Sequence, residues 1–506
     1  MTDFLFRNAT IVDGTGSEPF QADLLTSGSR IVAVGLSLDS SAAKIVDCTG
    51  LTLAPGFIDS HTHSDLQVIE GRTEKMSQGV TTEVVGNCGF SAYPPAKNPV
   101  DLRSFANGIF CGNDSWGWSS TEAYLQEIER SRVANVVSLV GHGSLRIAVA
   151  GSKQGPLNEA EVSSMESLLT EALDAGAAGF STGLMYAPGS SAPSDELQRL
   201  CNVTARKGKI YTSHMRSYFA ELVDAVNEQL DLARRSEGRL QISHLQAVGA
   251  NNWHLQPEAI GAMEKANRDG IDVEFDCYPY VAGSSVLTQL LPQSALDGGI
   301  PALMQRLRAP AERSAIRDEL ARIIPWRWSD IYISSVGSEA NLSAIGKTLE
   351  QIAEERGKEP VDVTLELLDE ENGDANMLCF NQSVDNLRAS LQHPFSTIIS
   401  DGFYVKGRPH PRLHGTFPLL LGNYSRQKGW LTLAEAVHKI TAKPARRYSL
   451  KDRGVLAPGY FADIVVFRAD QVDSPATYDA PEQAPIGIHS VYRNGEPVTG
   501  LLKFVA

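Results

Sequence analysis

The chain has 506 residues, 42% hydrophobic and 21% charged, an ordinary globular mixture that is too long for one minimal domain and has ample material for a core. With 60 acidic against 45 basic residues the net charge is −15, which argues against a nucleic-acid partner, because phosphate contacts need a basic surface. The six cysteines are scattered without disulfide-like spacing; there is no leader-like start and no apolar run long enough to cross a bilayer, so a cytoplasmic protein with reduced thiols and no membrane partner is expected.

Taken in order, residues 3–53 alternate short strand-like runs with Asp and Gly turns, and residues 459–467 and 489–495 have the same texture. Neither end alone has enough strands for a sturdy core. Residues 1–55 and 431–506 are therefore expected to form one small β-sandwich built from both termini, the second part opening with a barrel-closing helix. Between them, over 56–430, the pattern changes to strands alternating with amphipathic helices. Strands are predicted at 57–63, 82–85, 136–140, 178–181, 210–213, 240–243, 273–276 and 396–400, with helices at 159–174, 194–207, 220–236 and 257–269. Eight such strands predict an α/β fold of the (β/α)8, TIM-like type, with its chemistry on the loops after the strand C-termini. Residues 283–325 read as loop and helix, a segment suited to a lid over the barrel mouth. A helix at 349–356 and the segment 361–371 have no predicted place.

The polar residues at the strand ends carry the functional signal. Residues i and i+2 of a strand point the same way, so His61 and His63 share a face at the end of the first strand. The second strand ends near Cys88, the third at His142, the fourth leads to Tyr186, and the fifth and sixth give His214 and His244. The seventh gives Tyr278 and Tyr280 and the eighth Asp401. With only 11 histidines in the chain, a rim carrying His, His, Cys, His, His and Asp is best read as a metal site. Each residue also has a plainer reading: His142 as a neighbour that hydrogen-bonds behind the ligands, Cys88 as an inert buried thiol, Asp401 as a turn residue. A hydrolytic barrel needs a carboxylate beside the metal to take a proton from water, and Asp401 is the best-placed candidate.

These residues carry a family resemblance. Gly56-Phe57-Ile58-Asp59-Ser60-His61-Thr62-His63 with His214, His244 and Asp401 resembles the amidohydrolase superfamily. Gly86-Asn87-Cys88-Gly89, Ser181-Thr182-Gly183-Leu184-Met185-Tyr186, Ser213-His214-Met215-Arg216 and Arg408-Pro409-His410-Pro411-Arg412 resemble the N-acyl-D-amino-acid deacylases, or D-aminoacylases. The resemblance implies a zinc-dependent barrel whose tightly held ion has Cys88, His214 and His244 as ligands, with His61, His63 and Asp401 bordering a second, weaker metal position. The cysteine stands where many superfamily members have a bridging carboxylated lysine. Two departures stand out: Gln246 occupies the place of a lysine that helps hold the substrate carboxylate, and Ser217-Tyr218-Phe219 follows Arg216 where Asn/Asp-Glu is commoner. A neutral Gln removes a charge that would pair with an anion, leaving Arg412 and Tyr186 at the carboxylate-binding positions.

The expected chemistry is zinc-dependent cleavage of a small N-acyl amino acid, with Asp401 as general base and then acid, Tyr186 or His142 donating to the oxyanion, and Arg412 with Tyr186 gripping a carboxylate. A hydrolase of a different linear or cyclic amide, which Gln246 permits, and a metal-binding barrel without catalysis are the rival readings; a purely structural zinc site would be closed by four ligands. The sequence sets no oligomeric state.

Overall fold

The computed structural model describes residues 2–41, 43–112, 116–324 and 326–498. Eight parallel strands form the barrel: Phe57–Asp59, Val80–Val85, Asn135–Gly141, Gly179–Gly183, Ile210–His214, Arg239–Ile242, Val273–Cys277 and Ser396–Ile398. They lie side by side in chain order, so each helical crossover returns the chain to the next position. The predicted helices sit on the outside. Glu159–Asp174 starts at a capping box between Asn158 and Glu161 and buries Val162, Met165, Leu169, Ala172 and Leu173, the spacing of one helix face.

The first and eighth strands meet just beyond their ends. Thr62 bridges Gly402, the Asp401 N–H donates to the His61 carbonyl at 2.9 Å, and the His63 N–H donates to the Gly402 carbonyl at 2.9 Å. This seam therefore runs directly under the His-x-His pair and Asp401.

The strands assigned from sequence to a β-sandwich form one eight-stranded sheet. It joins Phe4–Ile11, Phe20–Ser27, Arg30–Gly35, Lys44–Asp47 and Thr52–Pro55 from the N-terminal side to Ile464–Phe467, Ile488–Arg493 and Glu496–Pro497. The two termini are stitched by Thr52–Pro55 pairing antiparallel with Ile464–Phe467. Helices Leu433–Lys439 and Ala442–Arg447 lead from the barrel into this sheet. Residues 499–506 of the second part lie outside the described residues.

Residues 283–325, expected as a lid of loop and helix, belong to a larger insert between the seventh and eighth strands. Ala282–Val286, Ile331–Val336 and Ala375–Phe380 form an antiparallel sheet with the last strand in the middle. Helices Gly299–Arg308, Pro310–Ile323, Leu349–Arg356 and Pro360–Glu370 pack with it around Leu303, Leu320, Ile333, Ile352 and Leu365. Pro325 lies outside the described residues. The insert has its own core because each of its three short strands needs an apolar cover the barrel does not provide. No helix among the described residues is long and apolar enough to cross a membrane.

Candidate metal and active site

Three of the residues read as ligands have left-handed backbones: Cys88 at φ 53°, His244 at φ 33° and Asp401 at φ 49°. Such conformations are uncommon for residues other than glycine and cost about 1–3 kcal/mol each, so they persist where the surroundings enforce them. At Cys88 the enforcement is visible: a Cβ on Gly183 would lie 1.9 Å from the Cys88 carbonyl oxygen. Only glycine there lets the Cys88 turn close onto the fourth strand and aim its thiol inward.

The side chains converge in two overlapping groups. Ligand atoms of His61, Cys88 and His244 lie within 4.8 Å of one another, as do those of His61, His63 and Asp401. The His61 Nε2 is 3.2 Å from the Cys88 Sγ and 3.4 Å from Asp401, the His63 Nε2 is 3.4 Å from Asp401, and the Cys88 Sγ is 3.5 Å from the His244 Nε2. The His214 ring packs 4.6 Å from that of His244, outside both groups of converging atoms.

This donor set fits a metal. Among the described residues, the buried His63 Nδ1, His244 Nδ1 and both nitrogens of His214 find no hydrogen-bond partner, a costly arrangement unless something binds there. Burial pushes the His244 imidazole down to about 4 and holds His214 well below the ordinary range, keeping both neutral. Burial also pushes the Cys88 thiol up to about 11 against the pull of His61; a bound cation reverses that balance and favours the thiolate. Burial opposes charge on Asp401 too, but Arg412, a hydrogen bond from His63 and the nearby His61 and His244 together outweigh it and hold the carboxyl well below its usual range. The Arg412 Nη1 is 2.9 Å from the Asp401 carboxylate.

These groups face a cavity of about 80 Å³ that His63, Cys88, His214, His244, Asp401 and Arg412 line together with Tyr186, Gln246 and Tyr278. The Tyr278 hydroxyl donates to the Gln246 Oε1 at 2.8 Å, and its ring lies under the Arg412 guanidinium at 4.7 Å. Ile109, Met185, Tyr186 and Gln289 also line an adjoining chamber of about 170 Å³ walled by Phe90, Phe105, Ile147 and Leu296.

Two predicted contacts are not made. His142 opens the helix His142–Ala150, and its Nε2 lies 2.8 Å from Glu196, which Arg146 also grips at 2.8 Å. The ring is absent from the cavity wall and packs behind the rim, which favours the plainer of the two readings of His142. Tyr280 is likewise outside the cavity. Its N–H donates back to the Tyr278 carbonyl at 2.9 Å, and this tight turn sends the ring against His410 at 4.9 Å.

Sequence reading passed over Asp276, at the C-terminal end of the seventh strand. Its Oδ1 accepts the His244 N–H at 2.6 Å and lies 3.5 Å from the His61 Nδ1, so one carboxylate orients two ligand candidates. The strand-end rule points to it as readily as to Tyr278. Tyr218 was also missed: its hydroxyl accepts from the Met215 N–H and donates to the Ser243 carbonyl, both at 3.0 Å, wedging its ring against His214 and His244.

Comparison with known proteins agrees with this geometry. A family model described as the amidohydrolase family matches residues 44–278 and 295–499. The chain is 36% identical to a D-aminoacylase of Alcaligenes xylosoxydans xylosoxydans over 505 residues, covering 98% of this chain and 94% of that relative. It is also 36% identical to an N-acyl-D-glutamate deacylase of the same organism, covering 97% and 93%. Among solved structures, the N-acyl-D-glutamate deacylase of Bordetella bronchiseptica, complexed with zinc and a phosphonate mimic of the tetrahedral intermediate, superposes with a TM-score of 0.85 at 34% identity, covering 98% of this chain and 96% of that one. With a family match over most of the chain laid over a barrel rim of converging histidines, a cysteine and an aspartate, the chain belongs to the amidohydrolase family.

Proposed function

We propose that this protein is a zinc-dependent hydrolase of N-acyl-D-amino acids, releasing a carboxylate and a free D-amino acid. The observation that carries the reading is the sharing of one cavity by Asp401, the Cys88 and histidine donors, and Arg412. Likeness to the D-aminoacylase and to the zinc-complexed deacylase supports it.

Cys88, His214 and His244 would hold the tight ion, and His61, His63 and Asp401 a second, weaker one. When bound, zinc supplies Lewis acidity toward the amide carbonyl and lowers the pKa of water. Asp401 takes the proton of the attacking water and returns it to the leaving nitrogen. Tyr186 lies on the cavity wall with its hydroxyl 3.5 Å from the Ser285 Oγ, and would donate to the developing oxyanion. Arg412, the one Lys or Arg on the wall of that cavity, binds the substrate carboxylate beside Tyr278. The free thiols of Cys48, Cys88, Cys201, Cys277 and Cys379 support a reducing, cytoplasmic setting.

The test is a panel of N-acetyl-D- and N-acetyl-L-amino acids, assayed with added zinc and after chelation. Zinc-dependent release of the D-amino acids is expected; turnover that survives complete chelation, or an L-only preference, would overturn the reading. Gln246, hydrogen-bonded to Tyr278 where a cation was expected, favours a second reading in which the substrate is an uncharged cyclic imide. Turnover of such an imide with none of any N-acyl amino acid would select it.

A further inference from the structure

The seam that closes the barrel is held by a buried lysine. Lys75 is 1% exposed, and its ammonium donates to the Asp59 carboxylate, to the Thr62 Oγ1 at 2.7 Å and to the Ser400 Oγ at 2.6 Å. All three N–H donors are used, on both sides of the seam. Asp59 reaches across as well: its Oδ1 accepts the Ser400 N–H at 3.0 Å and its Oδ2 accepts the Ser400 hydroxyl at 2.5 Å. The space is tight. A Cβ on Gly402 would lie 3.2 Å from the Lys75 Nζ and 3.1 Å from the Ser400 Oγ.

Each partner of Lys75 adjoins a ligand candidate. Asp59 is two residues before His61, Thr62 lies between His61 and His63, and Ser400 precedes Asp401. The group formed by His61, His63 and Asp401 is the one assembled across the seam, two residues from one side and one from the other. Cys88, His214 and His244 come from the ends of the second, fifth and sixth strands, and of the seam residues only His61 reaches them, with its Nε2 3.2 Å from the Cys88 Sγ.

We propose that Lys75 is a positioning residue that sets the distance between Asp401 and the His61–His63 pair, and so shapes the second metal position far more than the Cys88 position, which shares only His61 with it. An ammonium suits this task. A neutral side chain offers fewer donors, and a buried carboxylate such as Asp59 needs a counter-charge. The inference rests on the metal-dependent reading of the site. It concerns where the second ion binds, so it can fail while that reading stands.

The experiment measures zinc binding by chelator competition, and zinc content by elemental analysis, in the folded full-length protein and its Lys75→Met and Ser400→Ala variants. The first ion is expected to stay within about 2-fold of its wild-type affinity. The second is expected to weaken 10- to 100-fold in Lys75→Met, the range seen when groups behind metal ligands are removed, and in the same direction but less in Ser400→Ala. Ser400→Ala removes one hydroxyl and decides the matter if Lys75→Met does not fold. A general loss of packing would lower the unfolding temperature without separating the two ions. Equal weakening of both ions, or wild-type affinity for the second in the folded variants, would overturn the proposal. Failure of the wild-type protein to bind any zinc would overturn it together with the metal-dependent reading.

Discussion

Arg412 and Asp401 form an ion pair of 2.9 Å inside the cavity, both nearly inaccessible to water, with the guanidinium also stacked over Tyr278 at 4.7 Å. The same arginine is thus the neighbour of the proposed base and the cation nearest to an incoming carboxylate. Replacing Asp401 by Asn keeps the shape and removes the charge. Turnover is expected to fall at least ~10³-fold, within the range for loss of a general base, while the Cys88-site zinc stays bound. Steady-state kinetics beside zinc analysis check both halves; an active, zinc-loaded variant would defeat the assignment of the base.

Gln246 puts an uncharged amide on the cavity wall beside Tyr278. Its Oε1 accepts from Tyr278, which in turn accepts from the Gln382 Nε2 at 3.0 Å. Gln246→Lys adds an ammonium where a substrate carboxylate would lie. A charge-assisted hydrogen bond contributes about 1.5–3 kcal/mol, so KM for N-acyl-D-amino acids is expected to fall roughly 10-fold or more, with kcat changed less. An unchanged KM would mean that the carboxylate binds elsewhere.

Among the described residues, Asp101 is the one charged side chain on the wall of the adjoining chamber, with Phe90, Phe105, Ile147 and Leu296 around it. An acidic side chain entering it would meet no cation. N-acetyl-D-leucine is therefore expected to exceed N-acetyl-D-glutamate and N-acetyl-D-aspartate in kcat/KM by at least ~10-fold, since burying an unpaired charge is costly. Preference for either acidic substrate would show that neither chamber as described holds the side chain.

Cys88→Ala removes the proposed soft ligand of the tightly held ion. Zinc content is expected to drop below one ion per chain after dialysis, and chelation should no longer lower the unfolding temperature, because binding to the folded state alone is what couples metal to stability. Retention of a full, tightly held ion would make Cys88 an inert thiol.

Lys439 gives a pH dependence away from the metal. Its ammonium donates to the His393 carbonyl at 2.5 Å and to the Ser396 Oγ at 2.8 Å, and burial pushes its pKa down to about 8 from an ordinary 10.5. Between these values the unfolded chain keeps a proton that the folded protein has released, so this group's contribution to stability rises with pH across that window. Relative to Lys439→Met, the unfolding free energy of the wild type is expected to climb between pH 7.5 and 10, by on the order of 3 kcal/mol at most. Denaturant titrations at several pH values measure it, and a flat difference would contradict it.

The order of elements was legible in the chain because local periodicity reports local structure. All eight barrel strands lie where alternation and apolar runs put them, although the first ends at Asp59 rather than His63, so His61 and His63 stand on the seam beyond it. Cys88, His244 and Asp401 could be picked out because a parallel barrel delivers its strand ends to one rim. What happens one or two residues past a strand end is a matter of turn and packing. His142 enters a helix and finds Glu196, 54 residues on, and a tight turn at Tyr280 rotates it away from Tyr278. The insert between the seventh and eighth strands was hidden for a similar reason, since its three strands pair across gaps of dozens of residues.

The sequence by itself determined the barrel, its rim and the types of ligand atom on offer, since strand alternation and residue chemistry are properties of short stretches. Only the tertiary structure decided which of those atoms meet, that Asp276 orients both His61 and His244, and that Lys75 clamps Ser400 from 325 residues away. Those contacts depend on closing the barrel, and the closure brings together residues whose separation along the chain carries no trace of it.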